Sequence, residues 1–491
     1  MTAGRVGKPD TDDSPVTEAR SPVNLWPGLD DEFRSAASSI GAEGTRRVFD
    51  GVPGSIPPWM PTRPLFMDLA HYGDLTRLTS RLIRLALRCC QRRAATAGQL
   101  LGALGMHRSE VPLLDHSAPL SEDLLISVRP DVVYHDGVPK FIELNIDGGV
   151  GGTLQVDTFA RRFIGEYARA MGGRGPGRGI QAAQSSVDTR FAALSAWLGG
   201  SDTGFLSFSK KDFEYHSDPK KVVIPVFSVG AVPGLVDDPD RFISWLGPWC
   251  DSGRRHGLDT VAYPLDRLSS AADGRLCAGA GPVDAVIRLF PYSAQPDSAG
   301  KQALARAVTS GRVRMHTPEA TCLLMNKRVL AWLWSDLGLL GEADQEMVTR
   351  HVPWTAHLPA GTSGDDPVLR QALANRSGLV LKPANGYGGK GVIIGHTVTQ
   401  PDWAAALAAG AADGSQVLQA YTEPDRVSLG FVHRATGEQC AADVPFVLGQ
   451  FIFADRPSGV LVRHSAPAGG LVLNAHHGAI MNTALLVDSR S

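Results

Sequence analysis

The chain has 491 residues, enough for two to four structural units with well-buried cores. It is 43% hydrophobic and 20% charged with a formal net charge of −2, so nothing in its balance points to nucleic acid or to an anionic membrane surface. Six cysteines (89, 90, 250, 277, 322 and 440) form no CxxC pair, which argues against a disulfide framework or a zinc ribbon and fits a reducing, cytoplasmic location.

In chain order, residues 1–25 are polar and charged, without an apolar segment of the signal-peptide kind, and read as a disordered tail. A helical region is expected over 26–125. Within it, residues 73–105 interleave Leu75, Leu78, Leu82, Leu85 and Leu87 with Arg77, Arg81, Arg84 and Arg88, the pattern of an amphipathic helix with its arginines in solvent.

Residues 126–172 carry the first informative segment. Alternating runs flank Asp136-Gly137, a strong hairpin signal. The even positions Val128, Val132, Ile142, Leu144 and Ile146 are apolar and should face a core; the odd positions Arg129, Asp131, Glu143, Asn145 and Asp147 are polar. A two-residue loop would set Asp131 opposite Ile142, on the wrong face for Glu143. A three-residue loop over 135–137, with Gly137 left-handed, would pair odd with odd, and is the loop expected. Asp131, Glu143 and Asn145 on one face offer hard oxygen ligands suited to Mg²⁺ together with phosphates; an exposed strand face with ordinary charges is the competing explanation. Gly148-Gly-Val-Gly-Gly152 then leads into a helix over 153–171, either as an anion site at its N-terminus or as a plain capped connection.

Residues 172–190 read as a flexible linker. Over 190–310, apolar strands at 205–208, 222–227 and 283–290 alternate with helix, including a short one at 240–245, in a doubly wound α/β pattern. Arg288, near the end of such a strand, is a candidate clamp for a substrate carboxylate or a partner in a structural salt bridge. Residues 317–334, containing Asn326-Lys327, read as a turn leading into helix, and the Gly-rich, acidic stretch 341–375 reads as a link.

Leu379-Val-Leu-Lys382-Pro follows, then a loop with Gly386, Gly388, Gly389 and Gly391, then Val392-Ile-Ile. A P-loop would need Ser or Thr after its lysine and then a helix; a dinucleotide fingerprint would also open a helix. The β-branched continuation instead makes a strand, a glycine flap and a second strand, with Lys382 at the base. Such a loop suits nucleoside triphosphate, although a glycine-rich surface turn has the same composition. A helix is expected over 403–412, and strands over 416–421, 427–433, 443–453, 459–463 and 469–474. The pair His476-His477 lacks partners at metal-ligand spacing.

Four elements stand in a fixed order: Arg129-x-Asp131, Glu143-x-Asn145, Asn326-Lys327, and Val380-Leu-Lys382-Pro with its flap. This order resembles the circularly permuted ATP-grasp ligases of the glutathionylspermidine synthetase and glutathione synthetase type. The resemblance implies an α/β (α+β) ATP-grasp fold with a Rossmann-like pre-ATP-grasp domain at 190–310 and ATP-grasp subdomains at 311–412 and 413–491. It also implies that Lys327 and Lys382 contact ATP phosphates and that Gly386, Tyr387, Gly388, Gly389 and Gly391 close over them. Gln419 and Tyr421 would lie against adenine; Asp131, Glu143 and Asn145 would hold two Mg²⁺ ions; and Arg129 and Arg463 would stabilise the transferring phosphoryl group. Ala420 stands where relatives often carry glutamate. The implied activity joins a small-molecule or peptide carboxylate to an amine through an acyl-phosphate, releasing ADP and phosphate, in an enzyme class where dimers are common. A phosphotransferase acting without an amine, or a nucleotide-binding scaffold without catalysis, are the alternatives.

Overall fold

Among the described residues the longest strand is Gln439–Phe453, and the molecule is assembled around it. The computed structural model describes residue 23 and residues 26–52, 57–174, 179–199, 220–226, 239–473 and 478–488. The expected strand at 205–208, the pair His476-His477 and nearly all of the expected tail lie outside them. In the long strand, side chains up to Asp443 are at least partly exposed, and from Val444 onward every one is buried. Phe446, Leu448 and Ile452 enter the largest core, while Phe451 and Phe453 enter another. A strand covered on both faces needs no polar alternation.

One edge of this strand pairs with Arg426–His433 along its first half and with the hairpin Asp131–His135/Val138–Glu143 along its second. The other edge pairs with Arg456–His464, which pairs in turn with Ile480–Val487. Among the described residues ten strands belong to this sheet. The strand expected at 469–474 does not form: residues 469–473 have no regular structure, and Ile480–Val487 takes the place beside Arg456–His464.

The helix expected over 73–105 forms as two, Leu69–Gln91 and Ala97–Ala103. Leu75, Leu82, Leu85 and Leu87 are buried as the periodicity required. The arginine face is not simply solvated. Arg81 and Arg88 pair with Asp344, Arg84 with Glu122 and Asp455, and Arg92 and Arg93 with Asp336, so this face ties the helix to later parts of the chain.

Among the described residues a second sheet is entirely parallel, in the order Arg314–His316, Ala285–Ile287, Lys220–Val226, Leu258–Pro264. Val222, Ile224, Ala285 and Ile287 pack against Phe191, Leu194 and Trp249 on one face. Val223, Val286 and Met315 pack against Ala303, Leu304 and Ala307 on the other. Continuous apolar runs are the mark of parallel strands covered in this way. The segment 172–190 is only partly a linker, since strand Ile180–Gln181 and the start of helix Ser186–Gly199 fall within it.

The third sheet is antiparallel, in the order Thr355–His357, Gln416–Ala420, Leu379–Pro383, Ile393–Ile394. The stretch 341–375 is therefore not a bare link: it supplies helix Glu342–His351, the edge strand of this sheet, and helix Pro367–Ala374. Leu379, Leu381 and Leu418 pack on Trp403 and Leu407 of helix Gln400–Asp413. The alternate residues Val380, Lys382 and Gln419 face the opposite side, towards the hairpin.

Candidate active site

Between the flap sheet and the hairpin lies a cavity of about 970 Å³, its open mouth included. Asp131, Ile142, Glu143, Val447 and Arg463 form one wall; Val380, Lys382, Gly386, Gly389, Lys390, Gln419 and Tyr421 form the other, with Lys327 between them.

The hairpin reaches this geometry by a route different from the one expected. His135 pairs with Val138, so the loop has two residues, Asp136 and Gly137, both with positive φ (50° and 73°). That is the twist a two-residue hairpin turn favours. Asp425 clamps it, accepting the N–H groups of Asp136 and Gly137 at 2.9 Å each. The regular register would oppose Asp131 to Ile142, but a bulge intervenes and Asp131 pairs with Glu143. The two carboxylates therefore share a face, as the site requires. Ile142, expected in the core, is half-buried and lines the cavity instead.

Asp131 is the electrostatic centre of its wall. Arg463 Nη2 lies 2.6 Å and Arg129 Nη2 3.7 Å from Asp131 Oδ1, and the Asn145 amide donates to the same oxygen at 3.1 Å. Burial alone would raise the Asp131 carboxyl, but Arg463 and Arg129 outweigh it and hold it below the ordinary carboxylate range. Val132 pairs with Leu448 and Arg463 with Val447, so one strand separates acid from base. Arg129 fits because Gly449 lies beneath it: a Cβ there would stand 2.9 Å from Arg129 Cδ. Arg129 stands behind Asp131 and does not line the cavity; burial pushes its guanidinium down to about 10. The Nε of Arg129 and the Nε of Arg463 are buried without a hydrogen-bond partner.

Lys327 sits at the break between helices Ala320–Leu324 and Arg328–Ser335, its N–H donating to the Ala384 carbonyl at the base of the flap. Its Nζ donates to Glu143 Oε1 at 2.9 Å and to the Gly386 carbonyl at 3.0 Å. Lys382 Nζ donates to Gln419 Oε1 at 2.6 Å. Burial pushes its ammonium down to about 8, against the pull of Glu143. Asn326 is buried and accepts the Arg328 N–H, a local turn contact.

The flap forms as expected, with Val380 opposite Ile394 and Leu381 opposite Ile393. Gly388, Gly389 and Gly391 have φ of 70–75°, where side chains with a Cβ are strained. Gly386 and Gly389 line the cavity; Gly388, Gly391 and the half-exposed Tyr387 do not. Tyr421 lines it, its hydroxyl donating to Glu423 at 2.7 Å and its ring meeting His396 edge-on.

Arg288 stands elsewhere. It is 2% exposed, and its fork is held by Asp147 together with the Thr317 and Phe290 carbonyls and Thr321. It is a structural ion pair, not a clamp for a substrate. Asp147, the fifth polar residue of the hairpin segment, thus turns away from the cavity.

Several lining residues escaped the sequence reading. Val380 was accessible from its i−2 spacing to Lys382 on the same strand. Lys390 and the apolar run Leu471-Val-Leu473 carried no signal that distinguished them from a surface turn and a strand.

Four cations that line the cavity (Lys327, Lys382, Lys390, Arg463) thus meet two carboxylates (Asp131, Glu143), an excess of two positive charges facing it. Such an arrangement binds a polyanion. Among the described residues no group of three His, Cys, Asp or Glu side chains could hold a metal ion unaided. Asp131 and Glu143 with the neighbouring Asn145 amide nevertheless suit Mg²⁺, which takes few protein oxygens and completes its shell with phosphate and water.

No protein-family profile matches the chain. A protein of Frankia alni provisionally named glutamate–cysteine ligase 2-3 is 27% identical over 278 residues, which are 54% of this chain and only 27% of that relative's length. The structure of a glutathione synthetase-like effector from Globodera pallida, in its apo form, matches 94% of this chain and 98% of its own with a TM-score of 0.52 and 12% identity. No helix among the described residues is long and apolar enough to cross a membrane. In its architecture, then, the chain is similar to glutathione synthetase-like proteins, the type its ordered motifs resemble.

Proposed function

We propose that the chain is an ATP-dependent carboxylate–amine ligase with an ATP-grasp site whose motifs run in circularly permuted order. The observation that carries this reading is the convergence of Asp131, Glu143, Lys327, Lys382 and Arg463 on one cavity, from segments spread between residues 131 and 463. The buried Nε–H of Arg463, without an acceptor, supports a site awaiting anionic oxygens.

A carboxylate resists attack by an amine at neutral pH. Phosphorylation by ATP converts it to an acyl-phosphate, and both steps move negative charge between oxygens. Catalysis of this kind rests on positioning and on cations more than on a protein nucleophile. Lys327 and Lys382 would hold the phosphates, and Arg463 would meet charge developing on the transferring group. Arg129, placed behind Asp131, would steady that carboxylate. Asp131, Glu143 and Asn145 would hold Mg²⁺, which neutralises phosphate charge when bound. The glycine flap would exclude water, which otherwise hydrolyses an acyl-phosphate. The free space beside Tyr421 and Leu471 suits a planar apolar group such as adenine.

The test is product analysis across acid–amine pairs, beginning with the glutamate and cysteine named in the Frankia relative. Turnover should require both substrates and release ADP and phosphate. Release of AMP and pyrophosphate would refute the proposal, and a phosphorylated acid accumulating without amine would favour phosphotransfer.

A further inference from the structure

Behind Lys382 runs a chain of three hydrogen bonds whose direction is determined. Lys382 Nζ donates to Gln419 Oε1 at 2.6 Å. Gln419 Nε2 donates to Thr355 Oγ1 at 3.1 Å, and Thr355 Oγ1 donates to the Pro353 carbonyl at 2.8 Å. Lys382 is 7% exposed, Gln419 and Thr355 2% each, so water does not compete for these bonds. Thr355 and Gln419 are directly opposite on neighbouring strands, which sets their spacing by backbone register.

A hydroxyl carries one proton. A carbonyl can only accept, so the Thr355 proton goes to Pro353 and Oγ1 can meet Gln419 only as an acceptor. The Gln419 amide must then turn its nitrogen to Thr355 and its oxygen to Lys382. The ammonium, which can only donate, calls for the same amide oxygen; the hydroxyl anchors the amide's nitrogen end, and without it that end is held by nothing else on this side. Lys382 also donates, weakly, to the Ile142 carbonyl at 3.4 Å. With two of its three protons so directed, the third remains for the cavity that Lys382 lines. Glu143, Lys327 and Asp131 act on Lys382 from the hairpin and the helix break, while Lys390 and Arg463 line the same cavity. None of these accepts from the amide nitrogen, which Thr355 alone anchors among these groups.

We propose that Thr355 is a positioning residue for phosphate binding: acting through Gln419, it aims Lys382 into the cavity. The inference rests on the reading of that cavity as a nucleotide site. It also reassigns Gln419, expected against adenine, to the phosphate side.

Calorimetric titration of the full chain with ATP, GTP and inorganic triphosphate, each with Mg²⁺, tests it. Thr355→Val, nearly isosteric and well suited to a strand, should weaken all three ligands by a common factor of about ten, the scale of one misdirected hydrogen bond. Thr355→Ser keeps the hydroxyl and should bind as the parent does. Gln419→Leu should reproduce the uniform loss, with unfolding midpoints recorded to confirm that each variant is folded. Unchanged binding by Thr355→Val would overturn the inference. So would Thr355→Ser binding as weakly as Thr355→Val, or Gln419→Leu weakening ATP while sparing triphosphate, which would return Gln419 to the base. If the parent chain binds none of the three ligands, the nucleotide reading itself fails and this inference falls with it.

Discussion

Two aspartates of the hairpin segment, Asp131 and Asp147, each form a buried pair with an arginine, and the two pairs do different work. Asp131 with Arg463 lines a cavity, and Arg463 keeps a buried Nε–H without an acceptor. Asp147 with Arg288 is enclosed: Thr317, Thr321 and the Gly148 N–H complete the shell of Asp147 Oδ1, and carbonyls complete that of Arg288. Burial works against the Arg288 charge, and Asp147 more than offsets it, leaving its pKa raised. Removing one member of such a pair strands the other without water, at a cost of about 3–5 kcal/mol. Arg288→Met should therefore lower the unfolding free energy from urea titration by that much, with nucleotide affinity of the folded protein unchanged. Asp147→Asn in the same chain should recover part of the loss. A clamp for substrate would behave oppositely, losing affinity at constant stability.

At the scale of elements, the hairpin 131–143 shows what its sequence could and could not disclose. Alternation identified the two strands and their polar residues, because side-chain period is a local property. The loop length was not legible: a two-residue turn was made acceptable by Asp425, nearly three hundred residues away, which takes both turn N–H groups. A bulge then restored the pairing of Asp131 with Glu143. The same limit explains the strand misplaced at 469–474. Two short apolar runs compete for one strand edge, and the choice of Ile480–Val487 depends on partners such as Leu65–Asp68, which pairs with it in parallel. Lys327, Lys382 and the flap were legible because their chemistry lies in residue type and order; Thr355 was not, since its role exists only through Gln419. Gly137→Ala tests the turn. With φ at 73°, a Cβ should cost about 1–2 kcal/mol, read from the shift in denaturation midpoint. An unchanged midpoint would mean that Gly137 does not hold the left-handed conformation in solution.

For the whole molecule, acid stability follows from groups buried in the wrong state for low pH. Burial, reinforced by Arg190, Arg314 and Arg288, pushes His316 down to about 3; burial also pushes His464 down to about 4, although the Ser465 carbonyl beside its Nδ1 opposes this. Both imidazoles are held neutral in the folded chain but take up a proton near 6.5 once unfolded. The unfolded state then binds more protons than the folded one, so stability is full above about 6.5 and falls as pH drops towards 4 and 3. Glu319 acts in the opposite sense. Burial raises it to about 7, against Arg288 and the Leu113 N–H that it accepts at 2.6 Å. The folded chain therefore takes a proton at Glu319 before the unfolded chain does, a gain that grows as pH falls from about 7 to 4.5 and partly hides the histidine loss. Denaturant midpoints measured from pH 7.5 to 4.5 should fall in the parent chain and fall more steeply in Glu319→Gln, which removes the compensating group. A Glu319→Gln profile parallel to the parent's would mean that Glu319 is ionised normally in the fold, and that its contact with Leu113 does not survive in solution as a buried one.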